Sequence, residues 1–362
     1  MKYNILDYTL KDLEKYIIKS GEKRFRAEQI FRQLHKDRIA EFEGLKNIPK
    51  ELIKKLGDVF YIGTLKLIDV KESKFDKTRK FLFEIPETGD KIESVLIVED
   101  ERRTICISTQ AGCNVGCEFC ATGKIGFKKN LSQSEIISQI YQVSNYTGES
   151  PTNIVYMGMG EPFLNYENVF KSLLILTDEN ALGLSSKRIT VSTIGLVGRI
   201  KKFADDICLP ENIKVKNIKL AFSLHSTDNG FREKIIPISK NNPLPKIYEE
   251  LNYFYKITRN KITFEYVYFE GLNDTDNDVK RLSKLTKMYP CNINVIPFHP
   301  IDFPLKAPLE KFYGTEFSLS KIKIIEFIDK LKKLGSIVNL RNSSGVDIFA
   351  ACGQLAGKNL HS

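Results

Sequence analysis

Gly112-Cys113-Asn114-Val115-Gly116-Cys117-Glu118-Phe119-Cys120 carries three cysteines at Cys-x3-Cys-x2-Cys spacing, with an aromatic residue just before the third. Three thiolates on one short loop can hold three irons of a cubane cluster and leave the fourth iron open. Four cysteines would close the site and make an electron carrier. A cluster with a vacancy is suited to binding a substrate. Zinc is the poorer match, because its structural sites take four ligands in paired Cys or Cys/His sets. No second pair lies nearby, and the histidines His35, His225, His299 and His361 are scattered.

The rest of the composition sets bounds. Seven cysteines are an odd count for disulfide pairing, and the chain opens on charged, polar helix where a secretory signal would be apolar. That combination predicts a reducing, cytoplasmic setting, where clustered cysteines bind metal or do chemistry. A length of 362 residues suggests two or three domains with a large core. The formal charge of +10 fits an acidic partner, nucleic acid first, although a generally Lys-rich surface would give the same balance. No apolar stretch approaches the length of a membrane span.

Residues 1–58 read as helical. Thr9 caps a helix through Lys19, with Asp12 at the box position and Gly21 past its end. A second helix runs from Ala27 to Lys36, and a third starts at Pro49 and stops at Gly57. Lys23, Arg24, Arg26, Arg32, Lys36 and Arg38 make this region basic. Residues 59–100 contain the β-rich runs Thr64–Val70, Lys80–Ile85 and Ile92–Val98.

From residue 101 on, strands and helices alternate. The strands are Thr104–Ser108, Ile154–Met157, Ile189–Ser192, Ile218–Ser223, Ile262–Phe269, Ile293–Pro297 and Ser336–Leu340. Ser132–Ser144, Tyr166–Leu176, Leu196–Phe203, Leu244–Thr258, Asp276–Tyr289 and Ser318–Leu334 are the helices between them. Such alternation implies a parallel sheet with right-handed crossovers. Closed or partly closed, it is an α/β barrel whose active site lies at the C-terminal strand ends.

Polar punctuation falls at those ends. The cysteine loop follows the first barrel strand, and Met157-Gly-Met-Gly160-Glu161-Pro162 follows the second. Ser192-Thr193 ends the third strand, Ser223-Leu224-His225 the fourth, and His299 follows the sixth. One such cluster is ordinarily a turn or a helix cap. Five at equivalent positions point to a ligand, with glycines allowing close backbone approach and small polar groups to meet a carboxylate and a ribose. Cys106 lies in the first barrel strand, where alternation puts Thr104, Cys106 and Ser108 on one face, directed at the barrel mouth. Cys352 sits among Ala and Gly, which leave its thiol accessible, whereas Cys208 and Cys291 stand in no constellation and read as inert packing.

The chain resembles the RlmN/Cfr family of radical S-adenosylmethionine RNA methyltransferases over nearly its whole length. The resemblance rests on Cys106-Ile-Ser-Thr-Gln-Ala-Gly-Cys113 leading into the cysteine loop, Met157-Gly-Met-Gly-Glu-Pro162, Ser192-Thr-Ile-Gly195, Ser223-Leu-His225 and the tail Asp347-Ile-Phe-Ala-Ala-Cys-Gly-Gln-Leu355. Phe264-Glu-Tyr-Val267 and Gly271-Leu-Asn-Asp274 are more similar to the RlmN branch. The family implies a helical accessory RNA-binding domain (1–58), a β-rich adapter (59–100), a six-stranded partial barrel (101–341) and a tail (342–362). It implies one 4Fe–4S cluster on Cys113, Cys117 and Cys120. It also implies two S-adenosylmethionine molecules per turnover, bound by Gly160, Glu161, Ser192, Ser223, Leu224, His225 and His299.

The implied activity is methylation of adenosine carbon 2 in 23S rRNA and tRNA. That carbon is not nucleophilic, so radical chemistry from the cofactor carries the hard step. By the same resemblance Cys352 accepts a methyl group and becomes linked to the base, Cys106 resolves that link as a disulfide, and Glu93 is the proton acceptor. The resemblance also implies an electron donor such as flavodoxin or ferredoxin, and a cytoplasmic monomer. Two departures stand out: His299 where the family often has Asn, and Ser344-Gly345 where an Arg-Gly pair is common, with Arg341 remaining. Two other readings stay open: a Cfr-type methylase of carbon 8, and a non-catalytic RNA-binding or electron-transfer protein.

Overall fold

The computed structural model describes residues 2–314 and 320–356. His361, the end of the tail and the first two residues of the helix expected from Ser318 lie outside them.

The N-terminal helices form for local reasons. Thr9 and Asp12 close a capping box at the start of α1 (Leu10–Lys19), each side chain accepting the other's backbone N–H. α2 (Phe25–His35) buries Ala27, Ile30, Phe31, Leu34 and His35, the stripe of a 3.6-residue period. α3 (Lys50–Val59) begins one residue after Pro49. Strands β1 (Tyr3–Asn4) and β2 (Phe60–Tyr61) pair in parallel and tie the ends of this unit together.

Next come β3 (Lys66–Glu72), β4 (Arg79–Glu84), β5 (Lys91–Glu99) and β6 (Arg102–Cys106), an antiparallel meander. β7 (Gln110–Gly112) and β8 (Phe127–Asn130) form a separate hairpin. The parallel strands are β9 (Asn153–Tyr156), β10 (Ile189–Thr193), β11 (Lys219–Ser223), β12 (Ile262–Tyr268), β13 (Cys291–Pro297) and β14 (Val338–Leu340). β6 pairs in parallel with β9, so β6 belongs to both halves of one ten-stranded sheet ordered β14-β13-β12-β11-β10-β9-β6-β5-β4-β3. The adapter is thus hydrogen-bonded continuously to the barrel. The three-residue β14 adds a short edge strand to the six longer parallel ones.

Helices α4 (Ala121–Lys124), α5 (Gln133–Thr147), α6 (Tyr166–Thr177), α7 (Arg199–Cys208), α8 (Asn229–Ile235), α9 (Leu244–Thr258), α10 (Asp276–Thr286) and α11 (Lys321–Lys333) complete the chain. Strand alternation sorts side chains between helices and barrel interior. In β12, Tyr266 and Tyr268 pack on Phe327 of α11, while Glu265 and Val267 face the interior cleft. The short α4, the hairpin and α8 are elements the sequence pattern does not reveal. Gly230 sits in the first turn of α8, which masks its helical character, and Asp228 caps it by accepting from Phe231 N.

α5 is the platform on which the accessory unit rests. Its own capping box, Ser132 with Glu135, and left-handed Gly148 at its end match the sequence signals. Asn4 Nδ2 donates to Ser134 Oγ at 3.1 Å, and Asp7 Oδ1 accepts from Ser134 N at 2.8 Å. Gln139, fully buried, bridges Ser94 of β5 and both backbone groups of Ser108.

His35 of α2 is buried against α5, with Nδ1 2.8 Å from the Tyr141 hydroxyl. Burial pushes its pKa down to about 3 from 6.5, so the folded protein holds a neutral imidazole. Between those values the unfolded chain binds the extra proton, so stability falls as pH drops from about 6.5 toward 3. His35→Gln should flatten that segment of the stability profile measured by urea unfolding. An unchanged acid slope would assign it to other groups.

Candidate active site

The cysteine loop is held at both ends. Hairpin β7–β8 brackets it, and Cys113 N donates to Gly126 O at 2.9 Å. Gly112 has φ +74°, and a side chain there would overlap Gly126 O. Inside the loop Cys120 N donates to Cys117 O at 3.3 Å, and Glu118 N to Ile235 O of α8 at 2.9 Å.

All three thiols face a cleft of about 1010 Å³ at the C-terminal ends of the barrel strands. Burial pushes Cys113 up to about 12, raises Cys120, and raises Cys117 well above the usual thiol value, with mutual repulsion adding to it. Thiolates form here only beside a compensating positive centre. Among the described residues no three His, Cys, Asp or Glu groups converge as ligands of a single ion would. A cluster gives each thiolate its own iron, so a four-iron cluster is the centre that this donor set fits.

The far wall carries the punctuation residues. Gly160 has φ +98°, and a Cβ there would lie 2.6 Å from the Gln110 side chain. Glu161 is buried; Oε1 accepts from Phe163 N (3.0 Å) and Thr193 Oγ1 (2.7 Å), and Oε2 from Ile194 N (2.9 Å). Burial outweighs those bonds and lifts its pKa to about 6. Ser192 and Ser223 touch through their hydroxyls at 3.3 Å. His225 adopts φ +53°, rare for a non-glycine residue. Its Nδ1 accepts from Val267 N at 3.1 Å, so the neutral ring carries its proton on Nε2. Burial first, then Arg232, holds that ring neutral, with its pKa near 3. Phe119 packs edge-on against it at 4.9 Å.

A second cavity of about 760 Å³ adjoins the first, and Cys120, Met157, Gly158, His299, Arg341 and Cys352 line both. Cys106 faces this second cavity, as strand alternation anticipates. Burial raises its thiol to about 12, the Cys352 sulfur adds to the rise, and Arg341 opposes it. Cys352 is exposed to solvent within the joined space, yet the surrounding protein still raises its thiol. His299 lies between the cavities as a neutral imidazole, its pKa lowered by burial. Cys291 is buried and Cys208 half-buried, both outside the cavities.

Two expected site residues stand elsewhere. Leu224 is a core side chain that lines neither cavity, and its carbonyl accepts from Arg232 Nε at 3.0 Å. Glu93 also lines neither. It forms a buried ion pair with Lys80 at 3.1 Å and accepts from Ala356 N at 2.7 Å. Lys80 in turn donates to Phe349 O at 3.3 Å. These groups clasp the tail from the adapter side. From the barrel side Ala121 N donates to Gly353 O at 2.7 Å and Thr122 Oγ1 to Leu355 O at 3.0 Å.

Three residues are missed as site groups by sequence reasoning. Glu265 is buried in the cleft wall, accepts from Asn294 Nδ2 at 2.9 Å and has its pKa raised by burial. Its signal was a carboxylate at an inward position of a β run. Arg341, named from the sequence only as the arginine that remains where an Arg-Gly pair is common, is the single Lys or Arg among the described residues that lines either cavity. Arg232 is fully buried, and nothing in its helix pattern announces that.

A parallel partial barrel that gathers a three-thiol loop and a polar rim at its C-terminal edge is the architecture of the radical SAM superfamily. Residues 107–283 match that superfamily's model, and residues 3–62 match the ribosomal RNA large subunit methyltransferase N-terminal domain. The chain belongs to the RlmN family of radical SAM methyltransferases. It is 41% identical over 352 residues to a probable dual-specificity RNA methyltransferase RlmN from Clostridium beijerinckii, covering 97% of this chain and 94% of that one. A relative of the same name from Thermosipho melanesiensis is 38% identical, with 99% of each chain covered. The crystal structure of a radical SAM methyltransferase from Sphaerobacter thermophilus superposes with a TM-score of 0.85 at 34% identity, covering 98% of this chain and 99% of that one. Family chemistry uses a 4Fe–4S cluster and S-adenosylmethionine. No helix among the described residues is long and apolar enough to cross a membrane.

The Lys80–Glu93 pair should set tail stability. Lys80→Met leaves a buried carboxyl without its partner, which costs about 3–5 kcal/mol. Urea unfolding should register that loss, and limited proteolysis should cut residues 345–356 faster than in the unaltered protein.

Proposed function

We propose that the chain methylates carbon 2 of adenosine in 23S rRNA and tRNA through a methylated Cys352. One observation carries the reading: Cys352 borders both cavities, with the cysteine loop in the first and Cys106 in the second. Cys113, Cys117 and Cys120 would hold the cluster, and the rim from Gly160 to His225 with His299 would hold S-adenosylmethionine. Together these cofactors supply a methyl group and a hydrogen-abstracting radical.

The chain's own residues do the rest. Cys352 takes the methyl group on sulfur and presents it at the mouth, where its exposure allows a base to enter. Cys106, in the adjoining cavity, attacks the Cys352 sulfur and releases the methylated base, leaving a disulfide. Arg341 favours the thiolate of each cysteine. Buried thiols are poor nucleophiles, so that cation supports the exchange. Glu265 and neutral His225 offer fixed hydrogen-bonding groups on the cleft wall. Glu93, the proton acceptor of this reading, would use the lone pairs that Lys80 and Ala356 N leave open.

The two cysteines separate cleanly by experiment. Cys352→Ala should give no methylated RNA, because no acceptor exists. Cys106→Ala should form the protein–RNA link and fail to release it, so RNA should stay attached on a denaturing gel until ribonuclease removes it. Mass spectrometry of adenosines from the treated RNA distinguishes carbon 2 from carbon 8. A Cys106→Ala protein that turns over normally and carries no RNA would sink this reading.

We further propose that the accessory helices contact RNA phosphates. Arg24 pairs with Glu14, Arg26 donates to Asn47 O, and Arg38 donates to Asn145 and Ser150. Lys23, Arg32 and Lys36 are exposed. Reversing those three to Glu should weaken RNA binding and reduce its salt dependence through lost counterion release. Unaltered affinity would return them to a solvated surface.

A further inference from the structure

We propose that the tip of the β3–β4 hairpin is an RNA-binding element, where Phe75 stacks on an unpaired base of the substrate while Lys74 and Lys77 meet its phosphates. The inference rests on the RNA reading above and gives single-stranded nucleotides a place beside the mouth.

Phe75 is 85% exposed, more than any other large apolar side chain among the described residues. A single exposed hydrophobe is ordinary on a protein surface. This one stands at a turn, with Lys74 directly before it and Lys77 two residues after, and both lysines are exposed. The ion pairs of β3 and β4 are Lys66–Glu84, Arg79–Glu72 and Lys80–Glu93, so among the described residues both ammonium groups stay unpaired. An exposed ring between unpaired cations suits single-stranded nucleic acid, since every base has a face to stack and every nucleotide a phosphate.

The tip is fixed before any ligand arrives. Ser73 N donates to Thr78 O at 2.9 Å, and the Ser73 hydroxyl accepts from Phe75 N at 3.1 Å and Asp76 N at 3.3 Å. Asp76 Oδ1 accepts from Thr78 N at 2.7 Å. Such a preset backbone lowers the ordering cost of binding. The two nearby carboxylates are engaged with the fold. Asp76 Oδ2 accepts from Gly345 N at 3.0 Å, and Asp347 accepts from Ser73 Oγ at 2.7 Å and Lys74 N at 2.8 Å.

Those bonds also set the location, because Gly345 and Asp347 belong to the tail that carries Cys352. Ala350 N donates to Gly345 O at 2.9 Å, and Ala350 lies two residues before Cys352. Three peptide steps and two hydrogen bonds therefore join Phe75 to Cys352, a path of at most about 25 Å. Nucleotides beside a base that meets Cys352 are within that reach. Phe349, in the same stretch of tail, is 43% exposed and offers a second aromatic face. A base that reacts inside a cleft must leave its stack, and a ring that stacks on its neighbour replaces part of what is lost.

Fluorescence anisotropy on the full chain tests this with two labelled probes, a short unpaired uridine-rich RNA carrying one adenosine and a paired RNA duplex. Phe75→Ala should weaken the unpaired probe about tenfold and leave the duplex within about twofold. Phe75→Leu, apolar but without an aromatic face, should lose as much, whereas Phe75→Trp should bind at least as tightly as the unaltered protein. Joint Lys74→Gln and Lys77→Gln should flatten the salt dependence of the unpaired probe. Full affinity of Phe75→Ala for the unpaired probe overturns the proposal. A Phe75→Leu protein that binds like the unaltered one also overturns it, because the ring would then be apolar cover and not a stacking surface. Equal losses on both probes overturn it as well, since the contact would not select unpaired bases. In each of these cases RNA binding by the unaltered protein leaves the RNA reading standing; an unaltered protein that binds neither probe defeats that reading and this proposal together.

Discussion

Parallel pairing from Cys106 to Leu340 is the constraint on which the site depends. Parallel strands return through crossovers, so every strand runs the same way and every strand-to-helix loop opens at one edge. The register then decides which residues stand level with one another. Ser223 pairs with Glu265, Glu265 with Asn294 and Asn294 with Asn339 across four strands. The Glu265–Asn294 hydrogen bond follows from that level, and Ser192, level with Ala221, meets Ser223 two residues further along the same face. Shifting any of these strands by one residue would turn its polar side chain to the helices and leave a gap in the cleft wall.

The adapter gains its meaning from the tail. As an antiparallel extension of the barrel sheet it could be merely an edge, yet its residues hold the segment that carries Cys352. Asp347 accepts from Ser73 Oγ and Lys74 N, Gly345 N donates to Asp76, and the Lys80–Glu93 pair holds Phe349 and Ala356. On the other side the first turn of α4, directly after the cysteine loop, binds Gly353 and Leu355. Cys352 is therefore suspended between the two, free to meet solvent while its neighbours are fixed. A buried ion pair is an expensive clasp, and its worth here is in placing one thiol at the join of two cavities.

Electrostatics in the joined space follow one rule. Burial raises every carboxyl and thiol that faces it and lowers every imidazole, so its groups are neutral unless a charge stands close. Arg341 is that charge for Cys106, Cys352 and Glu265, and Arg232 for Cys117. Lys124 plays the same part for Cys120.

Much of this was legible in the amino-acid sequence. The capping boxes at Thr9 and Ser132, the strand alternation around Cys106 and the recurrence of polar residues after successive strands are local patterns, readable because they repeat within a few residues. The Cys-x3-Cys-x2-Cys spacing likewise names its donor set within one loop. What tertiary structure alone decided lies between residues far apart: Lys80 with Glu93 and the tail, Arg232 with the carbonyls of Ile194 and Ser223, and Glu265 with Arg341 in the wall of one cleft. Leu224 and Glu93 show the same limit from the other side, as motif members whose side chains the fold turns into the core or into a clasp. Periodicity tells which face of an element is buried. Only the folded packing tells which distant face meets it, and charge and hydrogen bonding at the site depend on that meeting.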